Sequence, residues 1–273
     1  MALLMEKFWL FGVRPHQDDV FLRPGSYEDS CAHTYRYRSR ITPGEGAAML
    51  SAQNMIMVNC KGEPCPFGED AYGYQESFYP MKKVFWSSTG SGGFRLGNEE
   101  KFICELAEKY PNVAGAYLDD LTSSVRRYGK EPSELLAEIR EGLDKAPRRL
   151  EIYTTWYWSD ELYPEIEKYV DGFTFWARNE AEIRGLKTSF ESIEERFKNR
   201  KKFLGIYLFN FRERKPISNE LMDLQCNYAL ELIKEGRLDG MIFLGNSTMG
   251  AGVPSEIWLR EWIEKVKYTV VPD

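Results

Sequence analysis

Eight short runs rich in β-branched and aromatic residues recur along this chain, and longer amphipathic stretches fill most of the gaps between them. The runs are KFWLFGV (7–13), MIMVN (55–59), KVFWSS (83–88) and AGAYLDD (114–120), then EIYTTWYW (151–158), GFTFWAR (172–178), FLGIYLFNF (203–211) and GMIFLGN (240–246). Helical periodicity follows in NEEKFICELAEKY, EPSELLAEIREGLDKA, SDELYPEIEKYV, EAEIRGLKTSFESIEERFKNR, SNELMDLQCNYALELIKEG and PSEIWLREWIEKVKY, with a shorter PGEGAAMLSAQN after Thr42. Only the gap from Cys60 to Lys83 lacks a clear helix. Strands alternating with helices pair in parallel through right-handed crossovers. Eight such units in 273 residues predict one (β/α)8 barrel over 1–273, with a long loop, 14–42, after the first strand.

An open doubly wound sheet is the alternative, and it often carries a glycine-rich phosphate turn after its first strand. Here that strand runs into VRPHQDD, with no such turn. GSGGF (90–94) lacks the lysine of a phosphate-binding loop and reads as a flexible loop.

Composition narrows the partners. A net charge of −6, with no long block of Lys or Arg, argues against nucleic acid. No run approaches 18 apolar residues, which argues against a membrane span. The N-terminal MALLMEKFWLFGVRP has neither a basic n-region nor a cleavage site. The expectation is a cytoplasmic protein, or a secreted one whose signal is absent from this chain. Five scattered cysteines do not make a disulfide framework, and CKGEPC lacks the second ligand pair of a zinc site. No cofactor is expected, and nothing in the sequence bears on oligomeric state.

In a barrel of this kind, active sites form where the strands end. The first strand leads to Arg14, His16, Asp18 and Asp19, and the second to Asn59. The third ends in Trp86, and the fourth in Asp119 and Asp120. The fifth ends in Trp156, Tyr157 and Trp158, and the sixth in Trp176, Arg178 and Asn179, with Glu180 just beyond. The seventh gives Asn210 and Arg212, and the eighth Asn246 and Ser247. The opposite ends carry ordinary boundary residues such as Lys7, Lys83, Glu151 and Lys202.

Period-2 alternation turns Tyr117 and Asp119 inward on the fourth strand, Thr174, Trp176 and Arg178 on the sixth, and Gly205, Tyr207 and Phe209 on the seventh. Aromatic platforms beside acids and amides suit a sugar, whose ring has an apolar face and whose hydroxyls want paired partners. Paired carboxylates cleave glycosidic bonds. Asp119 is the principal candidate, with Asp120, Glu180 or Asp18 as its partner. Arg14, His16, Asn59, Tyr157, Arg178, Asn179, Asn210 and Asn246 are candidate hydroxyl ligands, and Trp86, Trp158 and Trp176 are candidate ring platforms. The plainer alternatives are a structural Asp119 paired with Arg14 or Arg178, Asp120 as a turn or cap, and Glu180 as a first-turn helix acid.

With AGAYLDD closing its fourth strand, the chain resembles the TIM-barrel glycoside hydrolase superfamily, in particular the polygalactosaminidase-like and α-galactosidase-clan barrels. The resemblance implies a catalytic Asp at that strand end and a carbohydrate substrate. The chain departs from the chitinase-type D-x-x-D-x-D-x-E and from an Asn-Glu pair after the fourth strand. Two other readings use the same fold. One is a metal-dependent isomerase, epimerase or lyase built on His16, Asp18, Asp119 and Glu180. The other is a non-catalytic carbohydrate-binding barrel.

Overall fold

The computed structural model describes residues 1–22, 38–157 and 165–273. Eight parallel strands close into a barrel: β1 Phe8–Gly12, β2 Asn54–Met57, β3 Lys83–Thr89, β4 Val113–Leu118, β5 Glu151–Tyr157, β6 Gly172–Trp176, β7 Lys201–Tyr207 and β8 Gly240–Leu244. Each strand pairs with its neighbours in sequence, and β8 pairs with both β1 and β7 to close the ring. This is the expected (β/α)8 barrel, with every strand within a few residues of its expected place. Closure leaves no unpaired strand edge.

Helices shield the outside. Sequence chemistry starts several of them. Thr42 and Glu45 form a capping box ahead of Pro43–Met49, and Ser218 caps Asn219–Lys234 by accepting from the Leu221 amide. The gap expected to lack a helix holds Glu69–Ser77. A helix not foreseen, Leu121–Tyr128, follows Asp120 directly. EAEIRGLKTSFESIEERFKNR is split at Gly185 into Glu180–Arg184 and Leu186–Glu194.

The barrel interior is built in layers. At the N-terminal end, Trp9, Phe85, Tyr153 and Phe203 form an aromatic plug, with Phe85 and Tyr153 stacked at 4.2 Å. Above it, Phe11 meets Tyr117 and Trp176 edge-on at 5.9 and 5.6 Å. Trp176 lies flat over Gly205, where any Cβ would run into the indole, so a glycine is required there. Outside the barrel, Phe173 and Phe175 pack with Phe197 and Phe190, as alternation predicts.

Strand β7 stops at Tyr207. The rest of FLGIYLFNF enters a small hairpin, in which Phe209–Asn210 pairs with Lys215–Pro216. Phe209 therefore leaves the barrel interior and joins Leu22, Ala251 and Val253 in a second apolar cluster, against which Phe21 and Phe211 pack.

Candidate active site

The interior layers end in a cavity of about 230 Å³ at the C-terminal rim. Five of the expected residues line it: Asp18, Asp119, Asp120, Tyr157 and Trp176. Strand order puts the acids on opposing walls. Asp119 and Asp120 follow β4. Asp18 follows β1 and is held by the hydroxyl of Ser247, which follows β8. In the ring, β4 lies four places from β8 and three from β1.

Asp119 is buried, and its Oδ1 lies within hydrogen-bond distance of Thr155 Oγ1, at 3.0 Å. Burial, and then the charge of Asp120 beside it, push its carboxyl well above the usual range. Burial also raises the Asp18 carboxyl, against the opposing pull of the Ser247 hydrogen bond. Neither Arg14 nor Arg178 pairs with Asp119. Arg14 faces Glu63 at 3.8 Å, and Arg178 sits 4.4 Å over the Tyr157 ring and bonds Glu182. Cys60 also lines the cavity, but burial and the charges of Asp18 and Asp119 push its thiol up to about 12, so it is no thiolate nucleophile near neutrality.

Asp120 adopts a left-handed backbone, φ 47° and ψ 47°, an uncommon region that Asp tolerates better than most residues. Its Oδ2 accepts from the Gly92 amide at 2.9 Å. GSGGF, expected to be flexible, is therefore tied down. Gly90 N reaches Phe94 O, Gly93 N reaches Gly90 O, and Ser91 N reaches Asn59 O, each at 2.9 Å. Gly93, at φ +68°, abuts the Ser124 backbone so closely that no Cβ fits.

Other expected ligands sit elsewhere. Trp86 points outward, giving its indole N–H to Gln75 at 2.8 Å and packing edge-on against Phe102, so it is no ring platform. The reason is parity: Phe85 takes the inward position on that strand. Glu180 is a surface acid ion-paired with Arg184, far from the role of partner acid, as its first-turn position favours. Asn179 caps that same helix by accepting from Glu182 N. Asn210 folds back on the amides of Arg212 and Glu213 to turn the hairpin. Asn246 is saturated by Val13 N, Val13 O and Ile41 O, which lock the loops after β1 and β8 together. Asn59 is buried against Gly90 and does not line the cavity. His16 meets Asp19 at 3.1 Å and does not line the cavity, and Trp158 lies outside the described residues.

Thr155, Tyr207, Phe211 and Ser247 line the cavity without having been singled out as ligands. Alternation on β5 pointed to Thr155, two residues before Tyr157. Ser247 is one residue past Asn246. Among the described residues, no group of three or more His, Cys, Asp or Glu side chains comes close enough to hold a metal ion. Nor is any helix among them long and apolar enough to cross a membrane.

No protein-family model and no curated protein matches the sequence. In three dimensions the chain is similar to the GH99 endo-alpha-mannosidase from Bacteroides thetaiotaomicron. The TM-score is 0.57 at 12% identity, over 97% of this chain and 98% of that one. It is also similar to the glycoside hydrolase domain of PgaB (BpsB) from Bordetella bronchiseptica, with a TM-score of 0.51 at 11% identity, over 97% and 99%. At these identities the likeness is one of fold: this chain has the closed parallel barrel found in those glycoside hydrolases.

Proposed function

We propose that this protein is a glycoside hydrolase acting on a carbohydrate in the cavity at the C-terminal rim. One observation carries the reading. Three carboxylates, from opposing walls, converge with aromatic rings on a single cavity of about 230 Å³. Glycosidic cleavage asks for two carboxyl groups, one protonated and one not, flanking the bond.

Asp119 takes the part of the acid. It is buried, and its carboxyl is pushed upward by burial and by a neighbouring charge, which favours the protonated acid. Asp120, oriented by the Gly92 amide, is its carboxylate partner. Asp18, across the mouth with Ser247, holds the sugar or the attacking water. Trp176 and Tyr207 supply faces for the ring, and the Thr155 and Ser247 hydroxyls supply hydrogen bonds. The barrel likeness to two glycoside hydrolases supports this reading without specifying sugar or linkage.

The test is turnover. Purified protein is incubated with a panel of neutral, amino and acidic oligosaccharides, and new reducing ends are read by mass spectrometry. Wild type releases product, and Asp119→Asn and Asp120→Asn lose it. Binding of a sugar with no turnover of any panel member would replace this reading with that of a non-catalytic carbohydrate binder.

A further inference from the structure

Beneath Asp119 runs a line of buried hydroxyls. Asp119 Oδ1 is 3.0 Å from Thr155 Oγ1, which is 2.8 Å from the Tyr117 hydroxyl. Tyr117 is in turn 2.8 Å from Thr174 Oγ1, which lies 3.1 Å from the Thr154 carbonyl oxygen. All four side chains are buried. The Trp176 indole also donates to Thr174, at 2.9 Å, but it brings its own proton.

Each of the four oxygen–oxygen contacts needs one proton. A carbonyl brings none, and the three hydroxyls bring three. If Asp119 is ionised, one pair of buried oxygens faces each other with no hydrogen between them, which is costly away from water. If Asp119 carries a proton, the count closes. The carboxyl then donates to Thr155, Thr155 to Tyr117, Tyr117 to Thr174, and Thr174 to the Thr154 carbonyl.

We propose that Asp119 carries the proton the reaction transfers, and that Tyr117 and Thr174, which do not line the cavity, are positioning residues that keep it there through Thr155. The inference rests on the glycosidase reading for its chemistry. In the step, the Asp119 proton turns from Thr155 to the cavity and passes to the glycosidic oxygen as the C–O bond breaks, the electron pair of that bond staying on the oxygen. Asp119 becomes a carboxylate, and the Thr155 hydroxyl turns to donate to it. Addition of water to the sugar carbon releases a proton to the carboxyl pair, which restores the count. The other titratable groups facing Asp119 are Asp120 beside it, Cys60 after β2, Tyr157 on β5 and Tyr207 on β7.

Carbon-13 NMR of aspartate-labelled full-length protein tests this without substrate, the Asp119 carboxyl signal being assigned by its loss in Asp119→Asn. Tyr117→Phe removes two contacts from the chain that needs the proton and one from the chain that lacks it. Its Asp119 midpoint therefore moves to lower pH. Thr174→Val, two hydroxyls away from Asp119, moves it the same way, and the double variant moves it no further than either single one. In turnover, each single variant lowers kcat at pH 7 by about tenfold with KM unchanged, and activity returns at lower pH. A midpoint that stays put or rises in both variants overturns the inference, even if the wild type hydrolyses sugars. A midpoint that falls in a protein that turns over no sugar leaves the hydroxyl chain standing and removes the glycosidase reading.

Discussion

As the acid of the proposed reaction, Asp119 ties activity to stability through one buried carboxyl. Its folded-state pKa is raised, so the folded protein binds that proton more tightly than the unfolded chain does. The sign follows. Below the ordinary carboxylate value of about 3.9 both states hold the proton, and Asp119 costs nothing. As pH climbs from there through the folded-state value, stability is lost. Asp119→Asn, nearly the same shape and always neutral, should lower turnover by about 10²- to 10⁴-fold. It should also raise the melting temperature at pH 7, and the gain should shrink toward pH 4 in calorimetry. Asn246 should behave in the opposite way. It touches three backbone groups and no cavity space, so Asn246→Ala should cost about 3 kcal/mol in denaturant unfolding. The two residues looked alike as polar strand ends, and nothing in the sequence distinguished them. An amide facing two loop backbones and a carboxyl facing a cavity differ only in which partners the loops bring to them.

The loop 90–94 and the helix Leu121–Tyr128 act as one element. The glycines allow the loop to lie against the helix start, and the loop returns an amide to Asp120. Gly93→Ala should push them apart, lowering kcat by about 10- to 100-fold and stability by about 2 kcal/mol. Gly97→Ala is the control: it also has a positive φ, +92°, but open space around it. It should lose some stability and keep its activity, as paired kinetic and melting measurements will show. At this scale the strands were legible because period 2 and β-branched content repeat eight times, and the inward faces of β4 and β6 followed from parity. Parity on β3 turns Trp86 outward, because its neighbour Phe85 takes the inward place. Parity fails at Phe209, where β7 gives way to a hairpin that the apolar run FLGIYLFNF conceals. The glycines of GSGGF supply close approach rather than flexibility.

Across the whole molecule, the two ends of the barrel divide the work. The aromatic plug of Trp9, Phe85, Tyr153 and Phe203 lies toward the other end of the interior, and none of its rings lines the cavity. Phe85→Ala should cost about 3–5 kcal/mol by chemical denaturation while leaving the pH profile of turnover unmoved. Since a domain has about 5–15 kcal/mol in hand, that variant is best assayed well below its melting point. The upper end is lopsided. The greasy knot of Leu22, Phe209, Ala251 and Val253 gathers segments that follow β1, β7 and β8, three neighbours in the ring, while the Asp119–Asp120 pair stands on the far bank. A visitor to this doorway thus meets a jamb of oil at Phe21 and Phe211, with Asp18 set among it, and the acid pair opposite. If sugars do enter, they are sorted by which cheek they turn to each, and exchanging the oily jamb alone would retune the choice of visitor while leaving the scissors as they are.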